Sequence, residues 1–151
     1  MCMKAMDLAH YVVDKCSRDN KPVSNLQLQK ILYFLQYIYC RTSNGHLIFR
    51  ETFEAWPYGP VLRKAYREYS GYGGRPINKT YDDVTLPPSN IKDFVDAGIE
   101  MLREKAPWDL VKISHAPGSP WDAVYDNRRG FARTIPNELV VKAATAKVHN
   151  G

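Results

Sequence analysis

The sequence lacks the features that mark membrane-spanning, secreted and zinc-binding chains. No apolar run approaches the roughly 18 residues that a membrane-spanning helix needs. Met1–Met6 carries Lys4 and no apolar stretch, so we do not expect a secretory signal there. The three cysteines, Cys2, Cys16 and Cys40, contain no CxxC pair and predict neither a disulfide framework nor a zinc site. We therefore expect a cytoplasmic protein with reduced thiols and no membrane partner.

Catalytic and cofactor motifs are missing as well. No spacing such as HExxH relates the four histidines, His10, His46, His115 and His149. The chain contains no GxxxxGK[ST] phosphate loop, and the glycines at 71–74 lack the preceding strand and the following helix of a dinucleotide site. These absences favour a protein that is not an enzyme and that needs no cofactor and no metal.

What the chain does have is an uneven distribution of charge. Its 151 residues contain 21 Lys and Arg against 16 Asp and Glu, a net charge of +5. Residues 1–75 hold all of the excess, with 11 basic and 6 acidic side chains, because residues 76–151 hold 10 of each. This asymmetry favours an acidic partner surface or a nucleic acid, although +5 also suits plain solubility.

Length and apolar periodicity predict a single, mostly helical domain over residues 1–151. Apolar residues make up 44% of the chain, enough for a hydrophobic core. Apolar side chains at helical spacing predict helices over residues 4–16 and 24–41, and Ser24 with Gln27 predicts a capping box at the start of the second. By the same criteria we expect further helices at about 61–69, 91–102, 108–114, 120–124 and 134–144.

Strand signals are few and follow the second helix. Asn44-Gly45 favours a turn with positive φ, and the apolar residues at 47–49 together with Phe53 suggest a short strand or hairpin. Pro60 suits the first turn of the helix that follows. The predicted fold class is therefore mostly α, within α+β: a compact helical bundle with a short β-hairpin or small sheet.

His115 is the one histidine with a catalytic alternative. It follows Ser114 at a predicted helix end, near a proline-rich turn and Trp121. A Ser-His acid–base pair requires the two side chains to meet, but neighbours on a helix point about 100° apart. We favour a capping role, in which His115 bonds the last carbonyl groups of the helix.

Residues 56–81 interleave aromatic and basic side chains. Tyr, Trp and Arg are enriched at protein-interface hot spots, and the same mixture suits single-stranded nucleic acid. A third interpretation places the aromatic rings in the core and leaves the basic residues merely solvated.

Arg63 and Arg67 are four residues apart and share a helix face, while Tyr66 and Tyr69 can supply the opposite, buried face. The predicted partner-binding surface consists of Arg63, Arg67, Tyr69, Tyr72 and Arg75.

The order of these motifs resembles that of a known family. Residues 26–34 are similar to the KLxKLlYf helix of the Panacea antitoxin domain, which occurs in SocA-like antitoxins and in the phage-associated protein GepA. Residues 53–66 match its feAWxyGPVxxxxY block, and residues 114–121 match its H…spW element. We expect the motif residues to be structural, with both tryptophans in the core: Lys30, Tyr33, Trp56, Gly59, Pro60, Tyr66, His115 and Trp121.

The resemblance implies a non-enzymatic antitoxin that neutralises a cognate toxin protein by direct contact. Members of the family pair with different toxins, and a SocA-like member acts as an adaptor that delivers its toxin to the ClpXP protease. The resemblance leaves open whether the protein forms a homo-oligomer. The main alternative is a nucleic-acid-binding or transcription-regulating phage-associated protein, although the helix at 24–41 is too apolar for a recognition helix. A third alternative, an enzyme built around His115, has no further support in the sequence.

Overall fold

The chain folds around one long helix. The computed structural model describes residues 2–146, and in it five helices and one strand pack against the helix that runs from Asn25 to Thr42. This architecture confirms the predicted α+β class. In chain order the elements are α1 (Ala5–Arg18), α2 (Asn25–Thr42), β1 (Phe53–Trp56), β2 (Gly59–Val61), α3 (Arg63–Glu68), a 3₁₀ turn (Ser70–Tyr72), α4 (Lys92–Leu102), α5 (Pro107–Ser114), α6 (Pro120–Tyr125), β3 (Thr134–Ile135) and α7 (Asn137–Thr145).

Both ends of α2 follow the sequence prediction. The Ser24 hydroxyl accepts the Gln27 N–H at 3.2 Å, and the Gln27 side-chain oxygen accepts the Ser24 N–H at 2.9 Å. This capping box satisfies two donors that the helix itself leaves free. After the helix, Asn44 and Gly45 have φ values of 61° and 97°, which is the left-handed turn that we expected.

The three strands form one antiparallel sheet in the order β2-β1-β3. The β1–β2 hairpin turns at residues 57–58, and Gly59 has a φ of 111°. The prediction that Pro60 opens a helix is wrong, because Pro60 lies in β2 opposite Ala55. Helix α3 consequently begins only at Arg63 and is shorter than the expected 61–69.

The prediction of a strand at residues 47–49 is also wrong. Gln36 of α2 is buried beneath this segment, and its side-chain oxygen accepts the Ile48 N–H at 2.8 Å. The Gln36 amide nitrogen donates to the Phe49 carbonyl at 2.7 Å. A single side-chain amide thus replaces a neighbouring strand, and the segment is fixed without regular secondary structure.

The hydrophobic core lies on both sides of α2. At Gly98, helix α4 approaches α2 so closely that a Cβ would lie 2.5 Å from Leu35 Cδ2. Gly98 is therefore a packing requirement in a helix that glycine otherwise weakens. None of the helices within residues 2–146 has the length and apolar character that a bilayer crossing requires. The largest fully buried apolar side chains include Leu28, Ile31, Leu32, Tyr33, Leu35, Phe49, Phe53 and Ile77.

Candidate functional site

Buried polar side chains of α2 hold the β-hairpin that carries the most specific sequence motif. The Lys30 ammonium donates to the Pro60 carbonyl at 3.0 Å, and the Gln29 side-chain oxygen accepts the Leu62 N–H at 2.9 Å. The Gln29 amide nitrogen in turn donates to Asn25 Oδ1 at 3.1 Å. These side chains occupy the outer edge of β2, so this edge does not offer free backbone groups to a partner strand.

Lys30 is fully buried against a neutral partner. Burial lowers the pKa of Lys30 to about 7, because removal from water disfavours the charged ammonium. The space for the ammonium exists only because residue 59 is glycine. A Cβ on Gly59 would lie 2.6 Å from Lys30 Nζ and 2.7 Å from Ser114 Oγ. Lys30 and Gly59 therefore form one structural unit that ties the hairpin to α2 and α5.

His115 stacks on Trp121 and does not pair with Ser114. The His115 and Trp121 ring centroids lie 3.7 Å apart with an interplanar angle of 8°, and the Ser114 hydroxyl donates to the Val111 carbonyl at 2.8 Å. Burial, and secondarily the charge of Lys30, lowers the pKa of His115. His115 does occupy the C-cap of α5, but its backbone N–H makes the capping bonds. The prediction that His115 caps the helix is thus correct for its backbone N–H and not for its side chain.

The two tryptophans of the motifs have different environments. Trp121 is buried between His115 and Tyr125, and its Nε1 donates to the Trp56 carbonyl at 2.7 Å. Trp56 is only partly buried, and its own Nε1 donates to Glu54 Oε1 at 3.0 Å. The expectation that both tryptophans lie in the core is therefore right for Trp121 and wrong for Trp56, which lines a surface groove.

This surface groove, which we call the aromatic groove, encloses about 710 Å³ beside Trp56. Among the described residues, seven large apolar side chains are exposed, and four of the seven line this groove. Their exposed fractions are 58% for Tyr58, 37% for Tyr66, 55% for Trp108 and 52% for Phe131. A convergence of exposed apolar side chains is typical of an interaction site.

The rings of the aromatic groove contact one another in pairs. Tyr58 and Trp108 meet edge to face, with centroids 5.3 Å apart and an interplanar angle of 83°. The ring centroid of Trp56 lies 5.0 Å from that of Tyr66 and 6.4 Å from that of Phe131. These pairs join the hairpin to α3, to α5 and to the loop before β3, so the wall of the groove is formed in the free protein.

Phe131 is presented by a strained loop. Four residues of this loop have the left-handed backbone conformation that residues other than glycine rarely adopt. The φ values are 43° for Asp126, 53° for Asn127, 76° for Arg128 and 61° for Ala132. In the same loop a Cβ on Gly130 would collide with the carbonyl oxygen of Val124. Backbone strain of this kind concentrates at binding and catalytic sites.

The arginines predicted to bind a partner lie at the surface. Arg63 and Arg67 are both exposed on α3 and form what we call the basic face. Arg63 pairs with Glu54 at 3.0 Å, whereas Arg67 forms no ion pair within residues 2–146. Arg75 is exposed in the loop after the 3₁₀ turn, where its guanidinium donates to the carbonyls of Tyr72 and Gly71 at 3.1 and 3.3 Å.

The structure corrects the predicted positions of Tyr69 and Tyr66. Tyr69 is only 1% exposed, and its hydroxyl hydrogen-bonds to the Tyr81 hydroxyl at 2.6 Å. It therefore has no area to offer a partner, and its inclusion in the binding surface is wrong. Tyr72 is partly buried, whereas Tyr66, which we expected on the buried face, is exposed in the groove.

Sequence reasoning included Tyr58 in the aromatic and basic segment at 56–81 but not among the partner-binding residues, and it did not identify Trp108 or Phe131 as site residues. They come from segments far apart in the chain, and no local pattern connects them. The only available signal was the cluster of aromatic residues around Trp56 within the hairpin motif. Among the described residues, no group of three or more His, Cys, Asp and Glu side chains has the arrangement to hold a metal ion.

Comparison with known proteins relates the chain to one family. The family model described as Antitoxin SocA-like, Panacea domain, matches residues 28–122, which include every aromatic residue of the groove except Phe131. Antitoxin SocA of Caulobacter vibrioides (strain NA1000 / CB15N) is 31% identical over 131 residues, covering 80% of this chain and 69% of SocA. No solved structure matches the chain significantly.

Proposed function

Because the chain belongs to the family of SocA-like antitoxins with a Panacea domain, we propose that it neutralises a cognate toxin protein by direct, non-covalent contact. The observation that carries this proposal is the convergence of four exposed aromatic side chains on one groove. Exposed apolar surface is unfavourable in water, so a binding role accounts for its concentration here. Aromatic rings and arginines are also the side chains that dominate interface energetics.

The environments of the reactive side chains support contact rather than chemistry. Ser114 donates to a backbone carbonyl, His115 stacks on Trp121, and Lys30 is buried against Pro60. Each of these groups already has a structural role. We expect a folded His115→Ala protein to neutralise the toxin as the wild type does. Complete loss of neutralisation by a variant with unchanged circular dichroism would contradict this expectation.

We assign long-range attraction of the toxin to the basic face and to Arg75 beside Tyr72. Exposed arginines steer a partner with acidic side chains and accelerate its association, more than they increase the final affinity. Charge reversal of Arg63 and Arg67 should therefore slow association at low ionic strength, with little effect at high ionic strength. Unchanged association kinetics at low ionic strength would place the attractive charges elsewhere.

The direct test is co-expression with the product of the neighbouring gene in a bacterial host. We expect that product alone to arrest growth, and co-expression of this chain to restore growth. A tagged form of this chain should also retain the product on an affinity column. Persistent arrest and no co-purification, with both proteins soluble, would contradict the proposal.

A host that lacks ClpXP distinguishes blocking from delivery to a protease. If contact alone neutralises the toxin, growth is restored in this host as in the wild type. If the chain acts as an adaptor, the proteins still co-purify but growth remains arrested, because the bound toxin is not degraded. The level of toxin after translation is stopped provides a second readout, since only an adaptor shortens its lifetime.

A further inference from the structure

We infer that the aromatic groove, rather than the basic face, anchors the partner, and that it accepts an apolar side chain carried on an acidic segment of that protein. This inference rests on the proposed function and adds the chemistry of the contact. Three features of the groove carry it: its shape, its rigidity and the charge of the residues around it.

The shape of the groove suits an inserted side chain. Its volume of about 710 Å³ lies within the range of pockets that enclose ligands. Two of the three ring pairs in the wall meet at steep angles, 83° between Tyr58 and Trp108 and 57° between Trp56 and Tyr66, whereas Trp56 and Phe131 lie at 30°. Such an arrangement surrounds a protruding apolar group on several sides and removes more of its surface from water than a flat face does.

Buried and partly buried hydrogen bonds fix the backbone of the elements around the groove. Asn25 Nδ2 donates to the Tyr66 carbonyl at 3.0 Å, and Trp121 Nε1 donates to the Trp56 carbonyl at 2.7 Å. The bond from Lys30 to the Pro60 carbonyl holds the hairpin that carries Tyr58. Because these rings are held in place in the free protein, binding orders few additional groups and loses little conformational entropy.

The charge on the groove-lining elements and their flanking loops is mainly positive. Two of the nearest carboxylates are already compensated, since Glu54 accepts from both Trp56 and Arg63, and Asp126 lies 3.9 Å from Arg129. Glu68, at the end of α3, contacts His10 at 2.7 Å, and Asp109, next to Trp108, is a further acidic residue on these elements. An acidic partner segment therefore meets an excess of exposed basic side chains, which include Arg63, Arg67, Arg75, Arg128, Arg129 and Arg133.

The ring geometry favours a protein over a nucleic acid. Single-stranded nucleic acid binds to successive ring faces on which bases stack. In the groove, the edge of one ring in the Tyr58–Trp108 pair packs against the face of the other, and Trp56 is tilted against Tyr66. Trp56 and Phe131 are the one near-parallel pair among the groove rings, at 30° and 6.4 Å between centroids, so the rings do not form a row of stacking platforms.

The first experiment compares two exposed residues of the same helix. Trp108 lies in the groove and is 55% exposed, whereas Ile113 lies outside it and is 58% exposed. With the purified product of the neighbouring gene as the probe, we expect Trp108→Ala to raise the Kd about tenfold or more. Phe131→Ala should have a similar effect, while Ile113→Ala should change the Kd less than about twofold. Thermal unfolding of all three variants serves as the control for folding.

The second experiment tests the charge of the partner segment. Arg133 follows Phe131 by two residues, and exposed Lys142 lies on α7, away from the groove. Arg133→Glu and Lys142→Glu change the net charge equally, so a difference between them reports the local field. We expect Arg133→Glu to slow association several-fold at low salt and much less at high salt. Equal effects of the two variants would overturn the acidic character of the partner segment.

The outcomes separate the inference from the proposed function. If the wild type binds the neighbouring product and both groove variants bind it equally well, the inference is wrong and the proposed function stands. If the wild type does not bind the product at all, both are overturned. If the groove variants weaken binding of a single-stranded oligothymidine and leave the protein complex unchanged, the groove is a nucleic-acid site and the inference is wrong.

Discussion

The core along α2 and the aromatic groove differ in an unusual way: polar side chains are buried in one, and aromatic side chains are exposed in the other. Gln29, Lys30 and Gln36 are almost completely inaccessible, and each bonds a backbone group of the hairpin or of a segment that flanks it. Tyr58 and Trp108 are more than half exposed. The buried polar groups thus build the scaffold, and the exposed rings remain available to a molecule outside it.

The largest effect on stability is expected for Trp121→Ala. This side chain is buried, stacks on two rings and donates to the Trp56 carbonyl. Its removal should lower the free energy of unfolding by about 3–5 kcal/mol, because it leaves a cavity and removes the hydrogen bond to the Trp56 carbonyl. Urea unfolding measures the loss. A decrease below about 1 kcal/mol would show that Trp121 belongs with the groove rather than with the core.

Gln36→Leu should cost somewhat less, about 2–4 kcal/mol. The leucine fills the space but leaves the N–H groups of Ile48 and Phe49 and the carbonyl of Phe49 without their side-chain partner. Gln27→Ala, which removes only half of the capping box, is the matched control and should cost about 1 kcal/mol. Equal losses for the two variants would mean that the buried amide is not what fixes the segment after α2.

Lys30 should make stability depend on pH. The pKa of Lys30 is about 7 in the folded protein against an ordinary value of 10.5, so folding opposes protonation of the amine between these two pH values. The resulting loss of stability is complete below about pH 7 and disappears as the pH rises towards 10.5. The free energy of unfolding should therefore increase by about 1.4 kcal/mol per pH unit between these values, or about 2–3 kcal/mol over two units.

Lys30→Met removes the titrating group and should flatten this dependence. Burial raises the pKa of neighbouring Tyr33 above its usual range, so that phenol remains neutral over the interval. Urea unfolding of both proteins at about pH 7 and about pH 9 provides the comparison. Parallel pH profiles for the wild type and the variant would show that the ammonium is hydrated in the folded protein.

The sequence predicts elements well where a local signal is sufficient. The capping box of α2 and the Asn44-Gly45 turn depend on neighbouring residues, and both are found where expected. The hairpin was misplaced because its position depends on tertiary partners. The Gln36 side chain hydrogen-bonds to the backbone of the segment at 47–49, and Lys30 and Gln29 hydrogen-bond to the backbone along the edge of β2. No periodicity of the hairpin residues reveals these long-range bonds.

The candidate site was less predictable than the fold for a related reason. Helix α3 has only six residues, too few for its apolar pattern to decide which side faces the core. The prediction therefore placed Tyr66 on the buried face, although it is exposed, and it assigned Tyr69 both to that face, where it lies, and to the partner-binding surface, where it does not. Trp108 and Phe131 reach the groove through the packing of α5 and of the strained loop, which only the three-dimensional structure brings together.

The smallest effect on stability is expected for the groove itself. Trp108→Ala and Phe131→Ala remove rings that are already 55% and 52% exposed. Apart from a ring–ring contact of about 0.5–1 kcal/mol, little is lost within the folded protein. Each variant should change the free energy of unfolding by about 1 kcal/mol or less, measured beside Trp121→Ala under the same conditions. A decrease of about 3 kcal/mol in the free energy of unfolding of either variant would show that the ring stabilises the fold. Small losses combined with weakened toxin binding would show that these rings are exposed for the partner.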